Sequence, residues 1–153
     1  MSAVRSTVHS SFAVERGYRA SPAKVFAAWS DARAKAQWFH GPNERSREAL
    51  QLDFRVGGKE HASGVAQDGT THSYDATYLD IVPGERLILA YWMELNKRPI
   101  STSLMIVEFF PDGAGTKLRL TEHDTFLDGY DDAGSRKEGT QWLLQQLGKA
   151  LGV

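Results

Sequence analysis

Residues 115–151 carry the pattern that most constrains how this chain can fold. Residues 115–126 alternate polar and apolar side chains, which is typical of a β-strand with one buried face. After a polar loop, residues 135–151 repeat apolar side chains at the period of an α-helix. A helix of that length can lie across a whole small sheet, because each residue adds about 1.5 Å. We therefore predict a sheet that wraps around a long C-terminal helix, with space for a cavity between them.

The start of this helix has two candidate positions. Ser135 and Glu138 match a capping box, in which each side chain bonds the backbone N–H of the other residue. Asp132 also suits a helix start, because a carboxylate is favourable at the positive end of a helix. The sequence leaves both starts open.

The predicted buried face of the helix includes a glycine, Gly139, in line with Leu143, Leu147 and Ala150. A glycine inside a helix costs about 1 kcal/mol relative to alanine, so its position needs a reason. Two reasons are open: close contact between the helix and the sheet, or room for a bound molecule.

Strand patterns also fill the middle of the chain. Ser21 and Pro22 mark a helix start after the first strand, because serine is a favoured N-cap and proline suits the first helical position. A second short helix follows over residues 32–38. Successive hairpin-type turns predict an antiparallel sheet and an α+β fold of about seven strands, with two short helices after strand 1. The predicted strands are residues 6–19, 50–56, 59–66, 71–82, 86–93, 101–110 and 115–126.

Asp68 and Gly69 form the strongest hairpin signal of the chain. A two-residue loop there would pair Val65 with His72 and place His61 on the same face as His72. The two imidazoles would lie roughly 13 Å apart along the strands, which is too far for one metal ion to bridge. We therefore predict exposed strand histidines and no metal site.

Composition excludes several classes of function. The 18 Lys and Arg side chains against 19 Asp and Glu give a net charge of -1, so nothing favours nucleic acid or an anionic membrane as partner. Without cysteine there is no disulfide, thiolate metal site or cysteine nucleophile, and without a Gly-rich phosphate loop we expect no cofactor. No apolar run approaches the roughly 18 residues of a membrane-spanning helix, and the first ten residues lack the apolar core of a signal peptide. We expect a cytoplasmic protein without membrane insertion.

Glu122 is the most chemically suggestive residue of the sequence. It has the same parity as Leu118 and Leu120, so if these leucines face the closing helix, Glu122 faces it too. A carboxylate in such a place must be paired, hydrated in a cavity or protonated. Pairing with an arginine or lysine at the cavity mouth is one interpretation, and a catalytic base at Glu122 or His123 is the other.

Five local phrases follow one another in a characteristic order, at residues 20–31, 37–39, 53–58, 78–87 and 115–122. In that order and spacing they resemble the SRPBCC (START-like) superfamily, and more narrowly the bacterial relatives of the activator of heat shock protein 90 ATPase. The resemblance implies one such domain over the whole chain, 1–153. It also implies the helix-grip fold, a curved antiparallel sheet around a long C-terminal helix with a hydrophobic cavity between them. Similar domains bind lipids, hormones or polyketides, a few act as cyclases, and others contact a chaperone.

We predict that the chain binds a small hydrophobic or aromatic molecule, without catalysis, in the cavity between the sheet and the C-terminal helix. A protein-interaction or chaperone ATPase-regulating module is the first alternative, and an enzyme of the polyketide-cyclase or hydrolase type is the second. A homodimer is compatible with the sequence. The residues predicted to line the ligand site are Trp38, Tyr78, Trp92, Met105, Leu118, Leu120, Glu122, Gly139, Leu143 and Leu147.

Overall fold

The strand and the closing helix predicted within residues 115–151 are both present. The computed structural model describes residues 4–152, so the terminal residues of the domain predicted over 1–153 lie outside the described residues. The predicted α+β helix-grip fold is confirmed, with a curved antiparallel sheet, two short helices and a long C-terminal helix. Along the chain the elements are β1 (Thr7–Tyr18), α1 (Pro22–Ser30), α2 (Ala32–Ala36), β2 (Glu44–Arg47), β3 (Gln51–Leu52), β4 (Lys59–Ala66), β5 (Thr71–Val82), β6 (Arg86–Leu95), β7 (Arg98–Asp112), β8 (Gly115–Leu127) and α3 (Ala133–Leu151).

The strand order makes the first and last strands neighbours. The order is β1-β8-β7-β6-β5-β4-β2, and the short β3 also pairs with β4. Leu120 on β8 lies opposite Val14 of β1 and Val107 of β7, and all three side chains are buried. Tyr18 at the end of β1 donates a hydrogen bond of 2.7 Å to the backbone carbonyl of Leu144. This bond ties α3 to the face of the sheet that carries the inward side chains of β8.

Local capping explains why two short helices follow β1. The Ser21 hydroxyl accepts a hydrogen bond of 3.2 Å from the backbone N–H of Lys24, with a proline at the first helical position. The Asp31 carboxylate accepts a bond of 3.0 Å from the backbone N–H of Ala34 and thereby starts α2. The chain thus ends one helix and begins the next at a single residue, Asp31.

Aromatic side chains join these helices to the sheet. Phe26 of α1 meets Phe109 of β7 edge-on, with 5.3 Å between ring centroids, and Trp29 meets Trp38 at 4.7 Å. Such edge-on pairs are worth about 0.5–1.5 kcal/mol beyond the area they bury. The fully buried apolar side chains around them are Val25, Tyr78, Leu87, Leu89, Val107, Leu118 and Leu147.

The strand predicted over residues 50–56 is wrong except at β3. The chain turns instead, because Gly57 adopts a left-handed φ of 83° and the Gly58 N–H donates a bond of 2.8 Å to the Arg55 carbonyl. A side chain at Gly58 would place its Cβ 1.9 Å from the Asp53 carbonyl oxygen, so only glycine allows this close approach. The strand β2 was missed because its Glu-Arg-Ser-Arg sequence has no apolar alternation.

The predicted register of the β4–β5 hairpin is wrong by one residue. The N–H of Ala66 donates a bond of 2.8 Å to the Thr70 carbonyl, which closes a three-residue loop over 67–69 instead of a two-residue loop. His72 therefore pairs with Gly64, and His61 pairs with Asp75. A shift of one residue turns a side chain to the other face, so the two histidines lie on opposite faces of the sheet.

Both histidines are also more buried than predicted, because each has an acidic partner. His61 Nδ1 lies 2.7 Å from Asp75 Oδ1, and His72 Nε2 lies 2.9 Å from Glu44 Oε1. Their side chains are 33% and 23% exposed. The prediction of two exposed strand histidines on one face is corrected accordingly.

The closing helix begins at the earlier of the two candidate starts. Asp132 is its N-cap, and the Asp132 carboxylate accepts a bond of 2.9 Å from the backbone N–H of Ser135. The capping box of Ser135 and Glu138 is therefore wrong, because Ser135 already lies in the first helical turn.

The buried face of α3 is rotated from the predicted one. Leu147 is buried as expected, but Gly139 and Ala150 are exposed and Leu143 is half-buried. The pattern of apolar residues could not find the true face, because two of its members are polar. The buried residues of α3 are Arg136, Thr140, Leu144, Leu147 and Gly148.

Candidate ligand cavity

A cavity of about 290 Å³ lies between the sheet, the segment around α2 and the closing helix. The α1–α2 segment contributes Trp29, Trp38 and Phe39, and α3 contributes Gly139 and Leu143. The sheet supplies the floor from strands β4 to β8. Its lining side chains are Ala62, Tyr74, Tyr91, Met93, Met105, Leu120 and Glu122.

One wall of the cavity is a continuous series of aromatic contacts. Phe39 lies between Trp38 and Tyr74, with ring centroids 5.7 Å and 4.9 Å away. Tyr74 in turn lies 5.0 Å from Tyr91 on the next strand. The Trp38 indole N–H donates a bond of 3.0 Å to the Ala28 carbonyl, which fixes its ring. The wall therefore presents aromatic surfaces held in place by one another.

The structure brings six of the ten predicted site residues to the cavity. Of the other four, Tyr78, Leu118 and Leu147 are fully buried in the core and do not border the cavity. Trp92 is 44% exposed and lies on the opposite face of the sheet from the cavity-lining Tyr91. The residues that border the cavity are Trp38, Met105, Leu120, Glu122, Gly139 and Leu143.

The error at Trp92 has a simple cause. Strand β6 carries apolar side chains at successive positions, so its sequence does not tell which parity faces inward. Tyr91 and Met93 face the cavity, and Trp92 between them must point away. In the structure, Tyr91 differs from Trp92 in that its hydroxyl donates a hydrogen bond to Glu122, another residue that borders the cavity.

Gly139 leaves open space at the cavity. A Cβ added there would meet no heavy atom within 4 Å, so close contact between helix and sheet is not the reason for this glycine. Gly139 is itself exposed, and room for a bound molecule stays a prediction.

Arg136 is the main site residue that sequence reasoning missed. Its guanidinium is 8% exposed and donates to four groups: Tyr91 at 3.0 Å, Ser103 at 3.3 Å, Ser101 at 2.7 Å and Asp131 at 2.9 Å. Burial opposes its charge, yet the neighbouring Tyr91 and acidic groups raise the pKa of Arg136 overall. Arg136, Thr140 and Leu144 follow one another at intervals of four residues and so share one face of the helix. This spacing is the only sequence signal that could have placed Arg136 on the buried face.

Glu122 lies against this arginine and is 1% exposed. The Tyr91 hydroxyl donates a short hydrogen bond to Glu122 Oε1, and Arg136 NH1 lies 3.9 Å from the same oxygen. Burial, followed by the hydrogen bond and charge of Asp124, raises the pKa of Glu122 well above its usual range. Two of the states expected from the sequence are therefore combined: Glu122 lies beside the cationic Arg136, and its raised pKa favours the protonated form. Its side chain is buried and borders the cavity.

Asp124 completes this cluster behind the cavity. The Ser103 hydroxyl donates a bond of 2.6 Å to Asp124 Oδ1, and Arg136 NH1 lies 3.7 Å from that oxygen. Glu122 Oε2 and Asp124 Oδ2 are both buried without a hydrogen-bond donor among the described residues. We refer to Tyr91, Ser101, Ser103, Glu122, Asp124, Asp131 and Arg136 as the arginine cluster.

A second buried ion pair supports the aromatic wall from behind. Lys35 Nζ lies 2.8 Å from Glu60 Oε1 and 2.7 Å from Oε2, and the Tyr78 hydroxyl donates a bond of 2.6 Å to the same carboxylate. The ammonium also faces the rings of Phe39 at 4.5 Å and Trp29 at 5.4 Å. Burial lowers the pKa of Lys35, while Glu60 acts in the opposite direction. This pair fixes α2, and with it Phe39, against the sheet.

Two contacts hold together segments that border the cavity. His40 and Trp142 meet edge-on with 5.6 Å between ring centroids, which joins the segment after α2 to the closing helix. Glu44 accepts from the Gly41 N–H at 2.9 Å and approaches His72 at 2.9 Å, which fixes the start of β2.

Over residues 4–152, no group of three or more His, Cys, Asp or Glu side chains is arranged to hold a metal ion. Within the same range, no helix is both long and apolar enough to cross a membrane.

Solved structures of similar proteins share this fold over nearly the whole chain. A putative uncharacterized protein from Rhizobium leguminosarum is 44% identical, with a TM-score of 0.93 over 98% of this chain and 99% of that chain. A protein from Rhizobium loti is 39% identical, with a TM-score of 0.86 over 95% and 99% of the two chains. An AHSA1-like protein from Aeromonas hydrophila, 17% identical, has a TM-score of 0.73 over 94% and 92%. The comparison with curated proteins gives no match.

The family described as "Activator of Hsp90 ATPase homolog 1-like protein" matches residues 19–152, from the end of β1 to the end of α3. This range includes every element that borders the cavity. The chain belongs to that family, whose bacterial relatives the sequence resembles.

Proposed function

We propose that this protein binds a small aromatic molecule in the cavity beneath α3, without catalysing a reaction on it. The observation that carries this proposal is the aromatic wall from Trp38 to Tyr91, which borders open space beside Gly139. Apolar pockets with a few polar groups are the usual form of small-molecule sites. The arginine cluster supplies the polar groups at the inner end.

The size of the cavity limits the ligand. Ligand pockets usually measure about 300–1,000 Å³, and a dry cavity of about 150 Å³ holds benzene. A volume of about 290 Å³ therefore suits a ligand of roughly two fused rings. Longer lipids would need a larger cavity than this one.

Intrinsic fluorescence provides the test, because Trp29, Trp38 and Trp142 border the cavity while Trp92 lies outside it. Titration with 2-naphthalenemethanol should change the tryptophan emission in a saturable way. Gly139→Phe should weaken binding at least tenfold by filling the cavity, whereas Gly139→Ala should bind like the wild type. Absence of saturable binding to the wild type would overturn the proposal.

The family description favours a second candidate, regulation of a chaperone ATPase. This role needs a protein partner instead of a small ligand. A purified bacterial Hsp90 should then hydrolyse ATP faster when the chain is added at equimolar concentration. An unchanged rate, together with no complex in size-exclusion chromatography, would remove this candidate.

A further inference from the structure

Two carboxyl oxygens of the arginine cluster accept no hydrogen bond from the described residues. Arg136 uses both terminal nitrogens, Tyr91 donates to Glu122, and Ser103 donates to Asp124. After these bonds, Glu122 Oε2 and Asp124 Oδ2 still lack a donor among the described residues. The raised pKa of Glu122, caused by burial and then by Asp124, favours a proton on this carboxyl pair, and that proton is the only donor the two oxygens have within the cluster. A ligand that brings an N–H group could replace that proton as the donor.

Charge around the cavity points in the same direction. Arg136 is the only cation close to the carboxylates of Glu122, Asp124 and Asp131 within the cluster, so the cluster is acidic in sum. Further out, the lining adds Glu44 and Glu48 but only Arg47 as a second formal cation. An anionic ligand would be repelled here, and a cationic one attracted.

The aromatic wall also suits a cation. The rings of Tyr74 and Tyr91 lie 5.0 Å apart, and the Tyr91 hydroxyl bonds the carboxylate of Glu122. An ammonium or amine beside Glu122 would therefore meet aromatic surfaces as well as a carboxylate. Cations are attracted to such surfaces by about 0.5–2 kcal/mol, and aromatic cages with acidic groups are a known form of amine recognition.

We infer that the ligand of this cavity is an aromatic amine, whose ring system packs on the aromatic wall and whose protonated nitrogen donates to Glu122. This inference rests on the proposed function, because it specifies the ligand class of the same cavity. It assigns Glu122 the part of the ligand-anchoring residue, with Arg136 and Tyr91 holding its carboxyl group in position.

Binding should then release a proton. Without ligand, burial and then Asp124 raise the pKa of Glu122, so the protonated carboxyl group is favoured over the carboxylate. The charged and titratable groups facing it are Tyr74 from β5, Tyr91 from β6, Asp124 on β8 and Arg136 from α3. An ammonium replaces the proton as donor, so amine affinity should rise with pH until the amine itself loses its charge.

Three probes with one ring system test this inference: 2-naphthylmethylamine, 2-naphthalenemethanol and 2-naphthoate, titrated calorimetrically into the full chain. We expect the amine to bind at least tenfold tighter than the alcohol at pH 8, and the naphthoate to bind weakest. The amine should bind several-fold weaker at pH 6 than at pH 8, and buffers with different ionisation heats should reveal proton release.

Glu122→Gln provides the matched variant, because it keeps the shape of the side chain and removes its charge. The amine-to-alcohol affinity ratio should fall towards one in this variant and stay high in Glu138→Gln, which changes an exposed glutamate of α3 outside the cavity lining. Equal affinities for amine and alcohol in the wild type would overturn the inference and leave the proposed function standing, as would tightest binding of the naphthoate. Failure of all three probes to bind would overturn both.

Discussion

Glu122 is a buried ionisable side chain that borders the cavity and has a raised pKa. Its carboxyl group is buried with Asp124, and the neighbouring Tyr91 and Arg136 only partly compensate for the loss of water. A buried carboxyl with raised pKa stays protonated to higher pH in the folded than in the unfolded state. Its stabilising contribution is therefore complete below its unfolded pKa and is lost as pH rises through the folded pKa.

Glu122→Gln should reduce this pH dependence, because glutamine cannot ionise. Between pH 5 and pH 8 the free energy of unfolding should fall less in the variant than in the wild type. Urea unfolding at intervals of one pH unit measures the difference, and the five histidines cancel because both proteins contain them. Glu48→Gln, at an exposed lining position, is the control and should keep the wild-type slope. Parallel slopes for Glu122→Gln and the wild type would contradict the prediction.

At the scale of elements, the sequence predicts what depends on local periodicity and misses what depends on packing. The caps at Ser21 and Asp31 and the long strands follow from short-range signals. The tight turn at Gly57 does not, because an alternating pattern precedes it and only close backbone contacts show that the strand has ended. The hairpin register depends on one residue of loop length, which the Asp68 and Gly69 signal leaves open.

The closing helix shows the same limit for the candidate site. Apolar periodicity located α3 but not its orientation, because a charged residue, Arg136, lies on the buried face and donates hydrogen bonds to β6 and β7. The parity that lines the cavity could be predicted on β8, at Leu120, where a single parity is apolar, but not on β6, where both are. The buried face of an element therefore cannot be predicted from apolar periodicity when polar residues lie on that face.

Arg136→Met should loosen the attachment of α3 to the sheet. Methionine keeps much of the side-chain volume, but Asp124 and Asp131 then lose their counter-charge, and breaking a buried pair typically costs about 3–5 kcal/mol. We expect a loss of about 3 kcal/mol in the free energy of unfolding, with faster amide hydrogen exchange along α3. Lys137→Met, one position further along the same helix and exposed, should change stability by less than about 0.5 kcal/mol. Equal effects of the two substitutions would show that Arg136 does not anchor the helix.

At the scale of the whole molecule, the cavity is space that stays unfilled where α3 and the segment around α2 meet the sheet. The core under α1 is tightly packed, whereas the space beside Gly139 could accept a larger side chain without any close contact at Cβ. Glycine in an exposed helical position and an open cavity both cost stability. A larger side chain at this position would stabilise the fold if the space had no function. The stability lost through the glycine and the cavity therefore supports a functional reason for keeping the space open.

Gly139→Phe should therefore raise stability while it removes ligand binding. Replacing glycine by alanine adds up to about 1 kcal/mol through helix propensity alone, and a phenylalanine ring that packs against the aromatic wall should add roughly 1 kcal/mol more. Urea unfolding of the wild type, Gly139→Ala and Gly139→Phe should rank them in that order of increasing stability, while naphthyl-probe affinity survives only in the first two. A Gly139→Phe variant less stable than Gly139→Ala would mean that the space beside α3 cannot accept a ring, and the same result would weaken the case that an aromatic ligand lies there.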